Sequence, residues 1–131
     1  MALAGKYVHV KDEGFDDFLR SQEVSEQIIQ NRKKDSELEI QVNGNNVTIK
    51  HILSDGNIRK IEFEIGKEFD EKMGDHPHKS LASLEGNILT ISSKSTISSK
   101  SVTKTYVPSA NGLEVIHKSA KGEGKIIFKR Q

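Results

Sequence analysis

Apolar and polar residues alternate along most of the chain with a period of two, which is the spacing of a β-strand with one buried face. Leu38, Ile40 and Val42 alternate with polar neighbours, and NGNN at 43–46 then supplies a hairpin turn. The alternation predicts ten short strands, one opening at Lys6 and the others at about 38–42, 47–53, 61–65, 68–72, 78–84, 86–93, 100–107, 112–118 and 123–130.

One segment, residues 15–34, has helical rather than strand spacing. Its apolar stripe consists of Phe15, Phe18, Leu19, Val24 and Ile28. The stretch 21–25 is polar and contains a β-branched residue, so we expect it to divide the segment into two short helices.

Short connections between strands indicate an antiparallel meander, and a sheet of about ten strands removes its exposed edges by closing on itself. The last strand, which carries Ile126, Ile127 and Phe128, would pair with a strand at the other end of the sheet. Such a barrel is too wide for side chains alone to fill, which fits a hydrophobic content of only 34% and the absence of Trp. We therefore predict an all-β fold in one domain of 131 residues, a ten-stranded antiparallel up-and-down barrel with two short helices near the N-terminus.

Composition excludes several classes of function. The 20 basic and 19 acidic residues nearly cancel, which gives no electrostatic footprint for nucleic acid. There is no Cys, no apolar run of about 20 residues and no signal-peptide pattern, so we expect a cytoplasmic protein. No nucleophile motif or phosphate-binding glycine loop is present, and we predict neither an enzyme nor a cofactor.

Several segments together resemble the cytosolic fatty-acid-binding proteins of the calycin superfamily. They are GKY at 5–7, FDDFL at 15–19, IEFEIGKEFDE at 61–71, DHPHKSLASLEGNILT at 75–90 and the FKR ending. The resemblance covers nearly the whole chain. It implies a clam-like barrel of ten strands that holds a fatty acid or similar lipid non-covalently, in a monomeric intracellular carrier.

The carboxylate anchor of that family departs from its usual pattern here. The resemblance places Ile126 where an Arg belongs on the last strand, Phe128 where a Tyr belongs, and Lys104 at the position of a second Arg. Isoleucine cannot replace a guanidinium, which receives a carboxylate through two parallel hydrogen bonds. Either Lys104 binds the anion alone, or the ligand is neutral, for example a retinoid, fatty alcohol, sterol or pigment. A third hypothesis is a barrel that has lost transport and serves as an interaction or structural protein.

Strand parity predicts other polar residues inside the barrel. Lys104 and Tyr106 share an inward face, and Lys104 either contacts the ligand or extends out through the portal. His117 and His51 also fall on inward faces, where a hydrogen-bonded core histidine is favoured over a ligand contact. Ser93 could hold an ordered water or the ligand's head group.

The resemblance also implies that the two short helices form a two-helix lid over the barrel, beside the portal. We expect Phe15, Phe18 and Ile28 to pack against the barrel rim and to contact the ligand's tail. The basic cluster at 32–34 could touch anionic membranes transiently, although a solvated helix end is the favoured interpretation. HPH at 76–78 has two of the residues of a metal site and no evident third, and an exposed turn is favoured there.

Overall fold

The computed structural model describes residues 2–31, 35–73 and 76–131. Within them the chain forms ten strands and two short helices. The helices are α1 (Phe15–Ser21) and α2 (Glu26–Asn31), and the strands are β1 (Gly5–Glu13), β2 (Asp35–Asn43), β3 (Asn46–Leu53), β4 (Ile58–Glu64), β5 (Phe69–Met73), β6 (His76–Glu85), β7 (Ile88–Ser95), β8 (Ser101–Pro108), β9 (Gly112–Ser119) and β10 (Gly122–Arg130). The predicted strands and the break between the helices are confirmed.

All ten strands belong to one antiparallel sheet, in the order β4-β3-β2-β1-β10-β9-β8-β7-β6-β5. The prediction for the last strand is confirmed, because β10 pairs with β1, with Tyr7 opposite Arg130 and His9 opposite Phe128. The two ends of the sheet are β4 and β5, and the rings of Phe63 and Phe69 stack between them with centroids 4.9 Å apart. The sheet is thus a nearly closed barrel.

The period-two pattern decides which side chains face inward. Buried hydrophobic residues recur at alternate positions, as at Ile40 on β2, Ile49 on β3, Ile91 on β7 and Val115 on β9. Their neighbours along each strand are less buried and largely polar. The resulting core cluster includes the inward faces of the barrel together with the buried face of α1.

Helix α1 lies over the rim formed by β9 and β10, and α2 packs against α1. Phe15 and Phe18 of α1 are buried, as predicted, and stack with ring centroids 6.0 Å apart. In α2, by contrast, Ile28 is 62% exposed and Ile29 is buried. The prediction that Ile28 packs on the rim is therefore wrong, because the break shifts the register of the second helix by one residue. Neither helix has the length and hydropathy to span a bilayer in the part of the chain that is described.

A glycine on β10 allows α1 to approach the sheet closely. A Cβ atom at Gly124 would lie 2.8 Å from the Cα of Phe15 and 2.9 Å from the carbonyl oxygen of Gly14. Both atoms belong to the backbone, so the contact cannot be relieved by rotating a side chain. The lid helix can sit at this distance only because residue 124 has no side chain.

We expect Gly124→Ala to lower the free energy of unfolding by about 1–3 kcal/mol, the usual range for overpacking a tight contact. Urea denaturation measures the change. Gly122→Ala is the matched control, since its Cβ would meet only the side chain of Ser21, at 3.0 Å and beyond. Equal losses in the two variants would contradict the proposed close approach of helix and strand.

Candidate functional site

Four polar side chains meet on the inward face of one wall of the barrel. Glu71 lies on β5, Ser80 on β6, Ser93 on β7 and Lys104 on β8. Each shares its face with inward apolar residues: Phe69, Ala82, Ile91, Val102 and Tyr106. Adjacent strands therefore bring side chains up to 33 residues apart in sequence into contact.

Hydrogen bonds connect all four residues. The Lys104 ammonium donates to Glu71 Oε2 over 2.8 Å, and the Ser80 hydroxyl donates to Glu71 Oε1 over 2.8 Å. Ser93 donates to the same Oε1 over 3.2 Å, and the two serine hydroxyls are 2.7 Å apart. Both oxygens of the carboxylate are thus engaged. We call these four residues the inner polar cluster.

The inner polar cluster is shielded from water. The side chains of Lys104 and Glu71 are 14% and 12% exposed, and both serines are 1% exposed. Burial raises the pKa of Glu71, but the positive charge and hydrogen bond of Lys104 and the two serine hydroxyls outweigh it and hold the pKa below its ordinary value of 4.5. At neutral pH the cluster contains a carboxylate and an ammonium whose charges cancel.

The two predictions for Lys104 are both modified by this geometry. Its side chain points inward between Val102 and Tyr106, as strand parity predicted. It does not extend to the solvent, because its ammonium group is held by Glu71 inside the barrel. Contact between Lys104 and a ligand stays a prediction, and any such ligand must approach an ammonium that already has an anionic neighbour.

At the two anchor positions of the last strand, both side chains that face the interior are apolar. Ile126 and Phe128 are 6% and 2% exposed, and Tyr106 on β8 is 2% exposed. The inward orientation of all three is confirmed, and their contact with a ligand stays a prediction. The edge of the His9 ring meets Phe128, with centroids 5.9 Å apart.

The inward histidines occupy two different surroundings. His117 on β9 packs against the lid, with its ring centroid 4.8 Å from that of Phe15 and 5.8 Å from that of Phe18. His51 on β3 is half-buried and lies opposite Leu38 of β2. His117 therefore joins the barrel wall to the helical lid, whereas a ligand role for either histidine stays a prediction.

The HPH segment differs from its sequence interpretation. Residues 76–78 belong to β6 rather than to an exposed turn, and His78 is 7% exposed. His78 pairs with Glu71 in the β5–β6 register, which places a second titratable residue beside the cluster. The side chain of His76 and the basic cluster at 32–34 lie outside what the structure describes. Among the described residues, no three His, Asp or Glu side chains come close enough to hold a metal ion.

A pocket of about 520 Å³ lies beside β5 and β6. Its lining residues are Asp70, Glu71, Pro77, His78, Lys79 and Thr96. Asp70 and Lys79 face outward and form an exposed ion pair, with 2.5 Å between Asp70 Oδ1 and Lys79 Nζ. They are the chain neighbours of Glu71 and Ser80, which face inward. One member of the inner polar cluster, Glu71, therefore also lines a surface pocket.

Sequence reasoning missed two members of the inner polar cluster, Glu71 and Ser80. The signal was present, because Glu71 follows Phe69 at a spacing of two and Ser80 precedes Ala82 at the same spacing. An aromatic residue that points inward requires the residue two positions later to do the same. A charged residue at such a position needs a buried partner, and Lys104 is that partner.

Comparisons with known proteins agree with the fold. The family model described as lipocalin / cytosolic fatty-acid binding protein matches residues 1–109. Gastrotropin of Rattus norvegicus is 31% identical over 88 residues, which are 66% of this chain and 69% of that protein.

Two solved structures are similar over almost the whole chain, each at 26% identity. The REP1-NXSQ fatty acid transporter has a TM-score of 0.84, and the similar region covers 98% of this chain and 96% of that protein. The fatty-acid-binding protein isolated from Manduca sexta has a TM-score of 0.81, and the similar region covers 98% of this chain and 99% of that protein.

Proposed function

Because this chain belongs to the lipocalin and cytosolic fatty-acid-binding protein family, it is a lipid-binding carrier, and we propose that it holds one elongated hydrophobic ligand inside the barrel with the ligand's polar end at the inner polar cluster. The single observation that carries the head-group position is the Glu71–Lys104 pair with its two serines, a buried polar group on a wall whose other inward residues are mostly apolar. Ligand pockets characteristically combine an apolar lining with a few convergent polar groups.

The apolar wall supplies the affinity in this proposal. Ile49, Ile91, Val115 and Phe128 on four strands present aliphatic and aromatic groups to the interior. Each methylene of the ligand that leaves water contributes about 0.8 kcal/mol. A chain of a dozen or more methylenes would thus bind tightly without a strong polar anchor, and the polar cluster would set which end points where.

Entry past the helical lid fits the contacts of α1 and the linker that follows it. Gln22 donates a hydrogen bond to Ser119 over 2.6 Å, and Lys100 donates to Glu23 over 2.7 Å. The second contact is exposed and the first only partly buried, so both break at low cost. We propose a cytoplasmic monomer as the working form, in keeping with the family.

The experiment that tests the carrier is a titration of the delipidated protein with a fluorescent long-chain lipid. We expect saturable binding at about one ligand per protein. Ala82→Leu adds three carbons on the inward face of β6 beside the inner polar cluster, and we expect it to weaken binding about tenfold by occupying ligand space.

Ser83→Leu is the matched control, because Ser83 is the next residue of β6 and is exposed. It should bind the lipid as the unaltered protein does. If neither the unaltered protein nor Ser83→Leu bound any of a panel of long-chain lipids, the carrier function would be overturned, and an interaction role for the barrel would become the leading alternative.

A further inference from the structure

We propose that Glu71 makes this carrier select against carboxylates, so that its ligand is a long-chain lipid with an uncharged head group that both donates and accepts hydrogen bonds, such as a hydroxyl or a carboxamide. The inference rests on the proposed function, and it concerns the head group alone. It follows from how the charge of Lys104 is already used.

Lys104, the inward cation at the position of the second Arg, is neutralised by its own neighbour. Lys104 Nζ lies 2.8 Å from Glu71 Oε2, and both side chains are nearly closed off from water. A carboxylate ligand that reached the ammonium would therefore place its charge within a few ångströms of the Glu71 carboxylate. Two carboxylates that share a site in this way repel each other, and the repulsion raises the pKa of one of them.

Of the two carboxylates, the ligand's is the one that the site disfavours. Glu71 accepts hydrogen bonds from Lys104, Ser80 and Ser93, and all three donors stabilise its ionised form. A fatty acid would have to bind as the neutral acid or displace Glu71 from this set. Ile126 and Phe128, at the positions where the resemblance places a cation and a hydroxyl, provide no donor for a carboxylate.

An uncharged head group meets complementary atoms instead. An ammonium has three N–H donors, and Glu71 takes one of them within the described contacts. The other protons can be donated to a hydroxyl or carbonyl oxygen of the ligand. The lone pairs of the Glu71 carboxylate can accept from the O–H or N–H of the same head group. A hydroxyl or a carboxamide satisfies both, whereas an ionised carboxylate can only accept.

The test compares three ligands of one chain length, hexadecanol, hexadecanamide and palmitate, by displacement of a fluorescent lipid from the delipidated protein at pH 7.4. We expect the alcohol and the amide to bind at least about tenfold more tightly than the acid, a difference of about 1.4 kcal/mol. This comparison uses the unaltered protein and depends on no variant.

Glu71→Gln then isolates the cause. It keeps the size of the side chain and removes its charge, so Lys104 becomes available to an anion and palmitate should gain at least about tenfold relative to hexadecanol. In Glu71→Gln/Lys104→Met that gain should vanish, since the cation is gone. Asp70→Asn is the matched control, because Asp70 precedes Glu71 and pairs outward with Lys79, and it should leave the order of the ligands unchanged.

The outcomes separate the inference from the function on which it rests. Palmitate bound as well as or better than the alcohol by the unaltered protein would overturn the inference and leave the carrier intact. The inference would also be overturned if a folded Glu71→Gln protein, checked by circular dichroism, showed no relative gain for palmitate. Failure of all three ligands and the fluorescent lipid to bind would overturn the carrier itself.

Discussion

Lys104→Met is expected to lower the free energy of unfolding by about 3 kcal/mol. The substitution keeps most of the volume of the side chain and leaves the Glu71 carboxylate without its cation, at 12% exposure. Removing one partner of a buried ion pair costs about 3–5 kcal/mol, and we place this site at the lower end because each side chain keeps a small exposed fraction. Urea denaturation at pH 7 measures the change.

The outward ion pair on the neighbouring positions provides the control. Lys79 and Asp70 lie one residue from Ser80 and Glu71 on the same two strands, but their side chains are 50% and 79% exposed. Lys79→Met should leave stability nearly unchanged, because exposed pairs contribute little. The double variant Glu71→Gln/Lys104→Met removes both charges and should recover part of the loss seen in Lys104→Met. A loss in Lys104→Met no larger than that in Lys79→Met would contradict the buried pair.

The pH dependence of that loss has a definite sign. In the unaltered protein the folded-state pKa of Glu71 lies below 4.5, so its contribution to stability is present above 4.5 and is lost as the pH falls through the folded-state value. Without Lys104, burial raises the pKa instead, and protonation on acidification relieves the variant. The gap in unfolding free energy between Lys104→Met and the unaltered protein should therefore narrow as the pH falls from 7 to 4.

The barrel could be predicted from the sequence because its signal is repeated. Alternation such as that of Leu38 and Ile40 recurs on most of the strands, so a wrong prediction for one strand does not change the prediction for the others. The second helix has no such redundancy. Ile28 and Ile29 are adjacent, six residues are too few to define a stripe, and the break after α1 resets the phase. The sequence of α2 therefore does not decide which of the two isoleucines is buried, and the structure buries Ile29.

Only two of the four residues of the inner polar cluster were predicted from the sequence, and the reason is different. Lys104 and Ser93 lie on faces set by long apolar alternations, and both were placed inward. Their partner Glu71 lies on a strand of five residues, 22 positions before Ser93 and 33 before Lys104, with one inward aromatic to define its face. Parity gives the direction of each side chain. Which inward residues come into contact depends on the order and register of the strands. The pairing of Lys104 with Glu71 results from that order and could not be predicted from parity alone.

A glycine at the start of β9 leads to the second large effect. A Cβ atom at Gly112 would lie 2.1 Å from the carbonyl oxygen of Phe128 and 3.1 Å from its carbonyl carbon. Gly112 pairs with Lys129 in the β9–β10 register, and its amide donates to the Ser109 hydroxyl over 3.2 Å. The pairing with Lys129 and the hydrogen bond to Ser109 thus fix its position, and a side chain can be admitted only if β10 moves away from β9.

We therefore expect Gly112→Ala to lower the free energy of unfolding by about 3 kcal/mol or more, at or beyond the upper end of the overpacking range. Phe128, whose side chain points into the interior, lies on the segment of β10 that would be displaced. Ligand affinity should therefore fall as well. Gly86→Ala is the control, since its Cβ meets nothing within 4 Å and only its positive φ of 59° is strained, which costs about 1–2 kcal/mol. Urea denaturation of both variants decides the point. If Gly112→Ala lost no more than Gly86→Ala, β9 and β10 could not be paired as closely as they are at Gly112 and Phe128, and the position of Phe128 inside the barrel would have to be revised.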